Sequence, residues 1–419
     1  MNRGVVRFLL LVFFVALAIR VALLLLAPGF GQLPPMEMER VARSLAAGRG
    51  LANPFATPTG PTAHLLPLYP MVLGVIYKIW GTGSTGILVQ GLFSCTLASL
   101  RCALLFPLAR LMSLDSRTAG LASLLSVFYI PAFATEIRGG WDAPLTALFL
   151  MGLAWLAILI ARRPILSLRS AIGSGFLVGL STLLSAVLLA SSLGFMAAGA
   201  LVFRRRLRAY LTWCIVCGAV VLLCLTPWAL RNRQQMGKTI WLRSNFGFEL
   251  WQAYHEGAGV GALDTSALLG PAVNVEISNR VAVIGEVEFQ ASMERDALRW
   301  IQAHPIKAGQ LFLAHGIYFW FPPGQWLPLR LVRALLTVLA WAGLWILLAR
   351  KSPAGYILAV IWIVFPLIYY VVYWSSRYRY PMEWTLLLAA AVVPCALWSR
   401  YTRSKEAGAQ LRPPVSRSR

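Results

Sequence analysis

Runs of apolar residues long enough to cross a bilayer recur along this chain, and that feature decides its fold class. A spanning helix needs about 20 mostly apolar residues, because lipid leaves every backbone polar group to be satisfied within the segment. Such runs fall at about 7–27, 84–109, 118–135, 142–161, 170–185, 187–203, 210–229, 331–349, 355–373 and 381–399. The stretch 170–203 is too long for one crossing and divides into two short spans. With 58% hydrophobic and 13% charged residues over 419 positions, a soluble globular protein, a disordered chain and a secreted disulfide scaffold are excluded. The expected fold is all-α and polytopic, with about ten transmembrane helices in a range of roughly nine to twelve.

The net charge of +23 lies in short basic clusters between apolar runs rather than on one soluble face, so it reads as topology and lipid contact, not nucleic-acid binding. Placing the N-terminus inside puts Arg3, Arg7, Arg110, Arg117, Arg162, Arg163, Arg169, the RRRLR run at 204–208, Arg350, Lys351 and the basic tail on one side. Of the 15 carboxylates, only Asp115 and Glu406 fall there. Both termini are therefore expected to be cytoplasmic. The first span carries a basic start and an apolar run like a signal peptide, but it shows no AxA-like cleavage chemistry before Pro28 and reads as a retained helix. No internal repeat of fixed period is visible.

Four parts follow: a transmembrane module over 1–229 with a first outer loop at 28–83, an outer loop subdomain at 230–330, C-terminal helices over 331–399, and a disordered cytosolic tail at 400–419. All six cysteines fall in apolar spans, so the outer loops fold without disulfides. The pair Cys214-x-x-Cys217 has no His or carboxylate nearby and reads as core thiols. With no metal-ligand spacing among the four His, no tightly bound metal and no other cofactor is expected.

The chemistry belongs to the outer loops. After Pro34-Pro35 a surface helix is expected from Met36 to Ala47, closed by Gly48. Glu37 and Arg40 stand three apart and Glu39 and Arg43 four apart, so both read as helix-surface ion pairs or as parts of a site. The proline-rich stretch NPFATPTGPTAHLLPLYP then holds a stiff, non-helical backbone, tolerated at membrane depth where it lines a cavity. His64 and Tyr69 sit in it and Lys78 follows. With Glu136, they are the candidate lining of a substrate cavity, His64 reading equally as a structural residue.

The turn TEIRGGWD carries Glu136 and Arg138 at a helix end, functional candidates or interfacial anchors. The last outer turn, YWSSRYRYP, interleaves Arg377 and Arg379 with tyrosines. Paired guanidiniums at headgroup level suit phosphate oxygens, and snorkelling arginines in an aromatic belt are the other reading. In the large outer loop, strand-like pieces and turns are expected after PWALRN. An amphipathic helix is expected at about 286–303 and an interfacial aromatic segment at 309–323.

Taken in order, Glu37-Met38-Glu39-Arg40, ARSLAAGRG, GPTAHLLPLYP, the charged turn, PWALRN and RYRYP resemble the glycosyltransferase C superfamily, especially its bacterial branch related to protein O-mannosyltransferases and aminoarabinose transferases. The resemblance covers nearly the whole chain. It implies an inverting, metal-independent transfer of a sugar from a polyprenyl-phosphate donor to a lipid, glycan or protein acceptor on the outer face of a bacterial inner membrane. It places Glu37 at the position of the catalytic base, with Glu39 as the alternative because the family's Asp-Glu-x-Arg is shifted here. It places Arg40 at the phosphate, with Arg138, Arg377 and Arg379 available beside it. A transporter or flippase of lipid-linked or anionic small molecules is the rival reading, and Arg101, charged in mid-span, is the residue it explains best.

Overall fold

Each apolar run becomes a helix in the computed structural model, which describes residues 3–27, 34–260, 270–323 and 326–410. The order is α1 (Arg3–Leu26), α2 (Glu37–Ala46), α3 (Leu68–Trp80), α4 (Ser84–Leu111), α5 (Ser116–Val127), α6 (Phe133–Arg138), α7 (Ala143–Ala161), α8 (Leu168–Leu184), α9 (Ala186–Val202) and α10 (Leu207–Met236). There follow α11 (Phe246–Ala253), α12 (Val275–Ile284), α13 (Glu286–Ala303), α14 (Pro305–Trp320), α15 (Leu327–Ala349), α16 (Pro353–Val364), α17 (Leu367–Val371), α18 (Ser376–Arg379) and α19 (Glu383–Gln410). Among the described residues only one isolated bridge, Ala52 to Pro61, has strand geometry. The strand-like pieces expected after PWALRN are instead the last turns of α10 and the short α11. The tail expected to be disordered from 400 is helical as far as Gln410, and 411–419 lie outside the described residues.

Among the described residues seven helices are long and apolar enough to cross a membrane, and α5 with the segment Ile130–Arg138, bent by 49°, makes an eighth. The pair α8 and α9, 17 residues each, completes the ten segments read from the sequence. These two form a hairpin that turns on Ser185 alone, whose backbone is extended (φ −154°, ψ 124°). Their far ends meet again where the Arg206 guanidinium donates to the Pro164 carbonyl. On the lipid side α10 and α15 leave Ile215, Leu223, Leu335 and Trp345 exposed. On the inner side Gly343 of α15 lies so close to the Ala389 carbonyl that a Cβ there would stand 1.8 Å from it, which brings the backbones of α15 and α19 together.

Arg101 has a packed partner. Its Nη2 lies 2.8 Å from Glu136 Oε1, and Arg20 Nε lies 2.8 Å from Glu136 Oε2, all three side chains fully buried. The Tyr380 hydroxyl donates to the same carboxylate (2.9 Å), and Arg20 also donates to the Ala16 and Val127 carbonyls. One carboxylate thus ties α1, α4, α6 and the turn just ahead of α19. Removing one member of a buried ionic cluster leaves uncompensated charge, which costs about 3–5 kcal/mol. Glu136→Leu, which strands two arginines, is expected to lower the unfolding midpoint in detergent far more than Arg101→Met, which leaves the Arg20–Glu136 pair.

Candidate active site

The first outer helix, α2, buries Met38, Val41 and Ala42 against α3. Its two acids stand two residues apart, about 200° around a helix, so they cannot serve one site. Glu39 points inward and is 7% exposed. Its Oε2 accepts from the Met36 backbone N–H (2.6 Å), capping the helix, and its Oε1 accepts from Gln90 Nε2 (2.7 Å). Glu37 points the other way and keeps 18% of its side chain exposed. Neither the Glu37–Arg40 nor the Glu39–Arg43 ion pair is among the salt bridges of the described residues. Arg40 instead donates to the Ala272 carbonyl (2.7 Å).

Glu37 Oε1 meets His64 Nε2 at 3.3 Å. The proline-rich stretch is folded to deliver that ring. Asn53, at φ +60°, accepts from the N–H groups of Thr59 and Gly60, and Thr62 N–H donates to the Leu51 carbonyl. Glu286, at the start of α13, accepts from the Thr62 hydroxyl, the Ala63 N–H (2.9 Å) and the Ser244 hydroxyl (2.6 Å). Phe55 packs edge-on against the imidazole, ring centroids 4.9 Å apart. The His64 carbonyl in turn accepts from Arg243 Nε (2.9 Å), so one loop holds both the imidazole and a guanidinium.

Across from them Arg377 stacks on Trp141, its Cζ 3.6 Å from the ring centroid, and donates to the Tyr378 hydroxyl (3.2 Å). Asp142, next to Trp141, accepts from the Thr146 hydroxyl (3.1 Å). Arg243, Arg377, Asp142, Trp141, Tyr369 and Tyr378 line a chamber of about 60 Å³. A mainly apolar groove of about 620 Å³ shares its Ser185, Arg243, Tyr369 and Tyr378 and continues along Val187, Ala190, Val364 and Ile368. The one-residue break at Ser185 is where groove and chamber join.

The two acids are perturbed in opposite directions. Burial pushes the Glu37 carboxyl up, but the hydrogen bond and charge of His64, with Arg377 and Arg243, outweigh it and bring it down to about 2. Burial raises Asp142, and Arg243, the Thr146 hydroxyl and Arg377 offset it only in part.

Of the residues singled out from sequence, Glu37, His64 and Arg377 come together. The others stand apart. Arg379, two residues from Arg377, turns into the bundle, where it donates to the Trp320 carbonyl (2.6 Å) and to Thr337 Oγ1 (3.0 Å) and lies 3.7 Å from Glu383. Glu136 is the buried carboxylate of the ionic cluster. Arg138 reaches the Pro34 carbonyl (3.4 Å), the Tyr69 hydroxyl donates to the Gly139 carbonyl (2.6 Å), and Lys78 is exposed on α3. Sequence reasoning missed Arg243 and Asp142. For Asp142 the available signal was an acid just ahead of an apolar span that opens with Pro144. For Arg243 there was none. Glu39→Gln, which weakens the cap and the Gln90 bond, is expected to cost about 1–2 kcal/mol of stability with little direct effect on chemistry, read as a lower unfolding midpoint at unchanged specific activity.

The described helices together share the fold of solved oligosaccharyltransferase structures. Three solved structures are similar over nearly all of this chain. The apo oligosaccharyltransferase of Archaeoglobus fulgidus superposes with a TM-score of 0.56 at 15% identity, covering 97% of this chain and 53% of that one. The oligosaccharyltransferase AglB of the same organism, in complex with an inhibitory peptide and a dolichol-phosphate, gives 0.56 at 15% identity, 97% and 52%. The A. fulgidus enzyme in complex with Zn and sulfate gives 0.53 at 16%, 93% and 49%. The chain thus spans about half the length of these proteins. No family model and no curated protein matches the sequence. Among the described residues no three His, Cys, Asp or Glu side chains converge, and Glu37 and Asp142 face arginines, a surrounding that does not suit a divalent cation.

Proposed function

We propose that this chain is an inverting glycosyltransferase that moves a sugar from a polyprenyl-phosphate carrier to an acceptor at the membrane face bearing Glu37. The observation that carries the reading is the joining of an apolar groove to a cationic chamber through Arg243, Tyr369 and Tyr378. A polyprenyl chain lies in such a groove, and its phosphate reaches Arg243 and Arg377. The dolichol-phosphate seen in the A. fulgidus AglB complex supports a lipid phosphate as the donor's carrier.

The acceptor nucleophile attacks the anomeric carbon and Glu37 takes its proton. The carbon–oxygen bond to the lipid phosphate breaks, and the departing oxyanion keeps the electron pair, stabilised by Arg377 and Arg243 as preorganised charges. His64 orients the Glu37 carboxylate, and direct displacement inverts the anomeric centre. Asp142 is the second reading for the base, because it lines the chamber and burial has already raised its proton affinity. The membrane is the bacterial inner membrane with both termini cytoplasmic, and the loop at 230–330 takes part in holding the acceptor.

Mass spectrometry of lipids and surface glycans from a deletion strain, complemented with wild type or Glu37→Gln at matched protein levels, tests this. A polyprenyl-phosphate sugar should accumulate and one glycan residue should vanish in both the deletion and the variant. Unchanged lipids and glycans in the deletion would sink the transferase and bring the transporter forward.

A further inference from the structure

A second cavity, of about 520 Å³, opens at the other end of the bundle between the start of α5, the end of α15 and α19. Pro381, just ahead of α19, lines the chamber and Cys395 lines this cavity, so the two lie about 21 Å apart along the helix axis, toward opposite ends of the candidate span Arg377–Ser399. Leu114, Leu347, Val392 and Ala396 form the apolar part of its wall. Its rim carries Arg117 and Arg350, both exposed and neither with a side-chain partner among the described residues. Asp115, the rim's acid, is already engaged by the Arg117 and Thr118 N–H groups and the Thr118 hydroxyl. The space exists because α19 presents small side chains, Cys395, Ala396 and Ser399, just after Pro394 interrupts its hydrogen-bond ladder.

Apolar wall, cationic rim and placement at a helix-end interface are complementary to a single occupant. We propose that this groove binds an anionic phospholipid, its phosphate on Arg117 and Arg350 and the upper part of an acyl chain along Leu347, Val392 and Ala396. The occupant belongs to the leaflet opposite the proposed donor, so the site is separate from the transfer chemistry.

Native mass spectrometry of the full chain with phosphatidylglycerol or phosphatidylethanolamine, together with maleimide labelling of Cys395 resolved by peptide mass, tests the assignment without any transfer assay. Phosphatidylglycerol should be retained and slow Cys395 labelling about tenfold at saturating lipid, while Cys214 on α10 labels at an unchanged rate. Arg117→Ala with Arg350→Ala should raise the phosphatidylglycerol needed for protection about 30-fold, from two surface arginines at about fivefold each. Ala396→Leu, which fills the groove and keeps both charges, should also remove protection. Equal protection by phosphatidylethanolamine, or by glycerol phosphate in solution, overturns the proposal, as does protection that survives in either folded variant or is absent from wild type.

Discussion

Glu37→Gln is expected to slow glycosyl transfer by about 10² to 10⁴-fold, the usual contribution of a positioned general base, with the protein folded and the donor still bound. The substitution keeps the shape and a hydrogen-bonding partner for His64 and removes only the site that receives the proton. Glu39→Gln carries the same chemical change two residues away and is expected to leave the transfer rate per folded molecule nearly intact, since its carboxylate is spent on the Met36 N–H and Gln90. Asp142→Asn is the decisive companion. If it abolishes transfer while Glu37→Gln retains it, Asp142 is the base and Glu37 is a fixed counter-charge for the arginines.

The pH profile separates the same two cases. A carboxylate depressed to about 2 stays ionised as the pH falls and protonates only near that value. With Glu37 as base, kcat/KM should therefore show no carboxylate limb across the mildly acidic range. A carboxyl raised by burial loses its charge at higher pH than an ordinary aspartate, so Asp142 as base would put an acidic limb inside that range. The profile of kcat refers to the loaded enzyme. There the donor phosphate offsets Arg243 and Arg377, two of the charges that hold Glu37 down. Its apparent pKa should then rise from kcat/KM to kcat, toward a value better suited to accepting a proton. Absence of that upward displacement would count against a phosphate on those two arginines.

Much of the scaffold was legible in the apolar pattern, and the physical reason is that span length and amphipathic period are local properties. The stretch 170–203 is divided into two helices, α8 and α9, and the amphipathic stretch 286–303 is α13. What was not legible depends on partners far apart in the chain. Arg101 finds Glu136 on another helix 35 residues on, and Arg20 reaches the same carboxylate, so no window of sequence shows the cluster. Arg377 and Arg379 read as one pair in the sequence because they stand two apart in one short turn, interleaved with tyrosines. The turn is instead helical over Ser376–Arg379, which sends them about 200° apart. Glu37 and Glu39 stand as alternatives in the sequence because the motif they resemble is shifted; in the fold Glu37 faces the arginines and Glu39 faces the protein.

That separation makes Arg377 and Arg379 the sharpest contrast available. Arg377→Ala is expected to cut transfer by about 10² to 10³-fold, as loss of one preorganised charge at a leaving oxyanion does, with little change in the unfolding midpoint. Arg377→Lys should recover only part of it, because an ammonium keeps the charge but not the planar stack on Trp141 or a two-pronged grip on phosphate. Arg379→Ala should do the reverse. It removes donors to the Phe319 and Trp320 carbonyls and to Thr337, and leaves Glu383 buried with less compensation, so about 3 kcal/mol of stability should go. The molecules that stay folded should transfer sugar at near the normal rate. Unfolding midpoints and activity per folded molecule, measured on both variants, decide it. If Arg379→Ala stays as stable as wild type and loses activity as Arg377→Ala does, the two guanidiniums act together on the donor and the orientation of Arg379 into the bundle is wrong for the working enzyme.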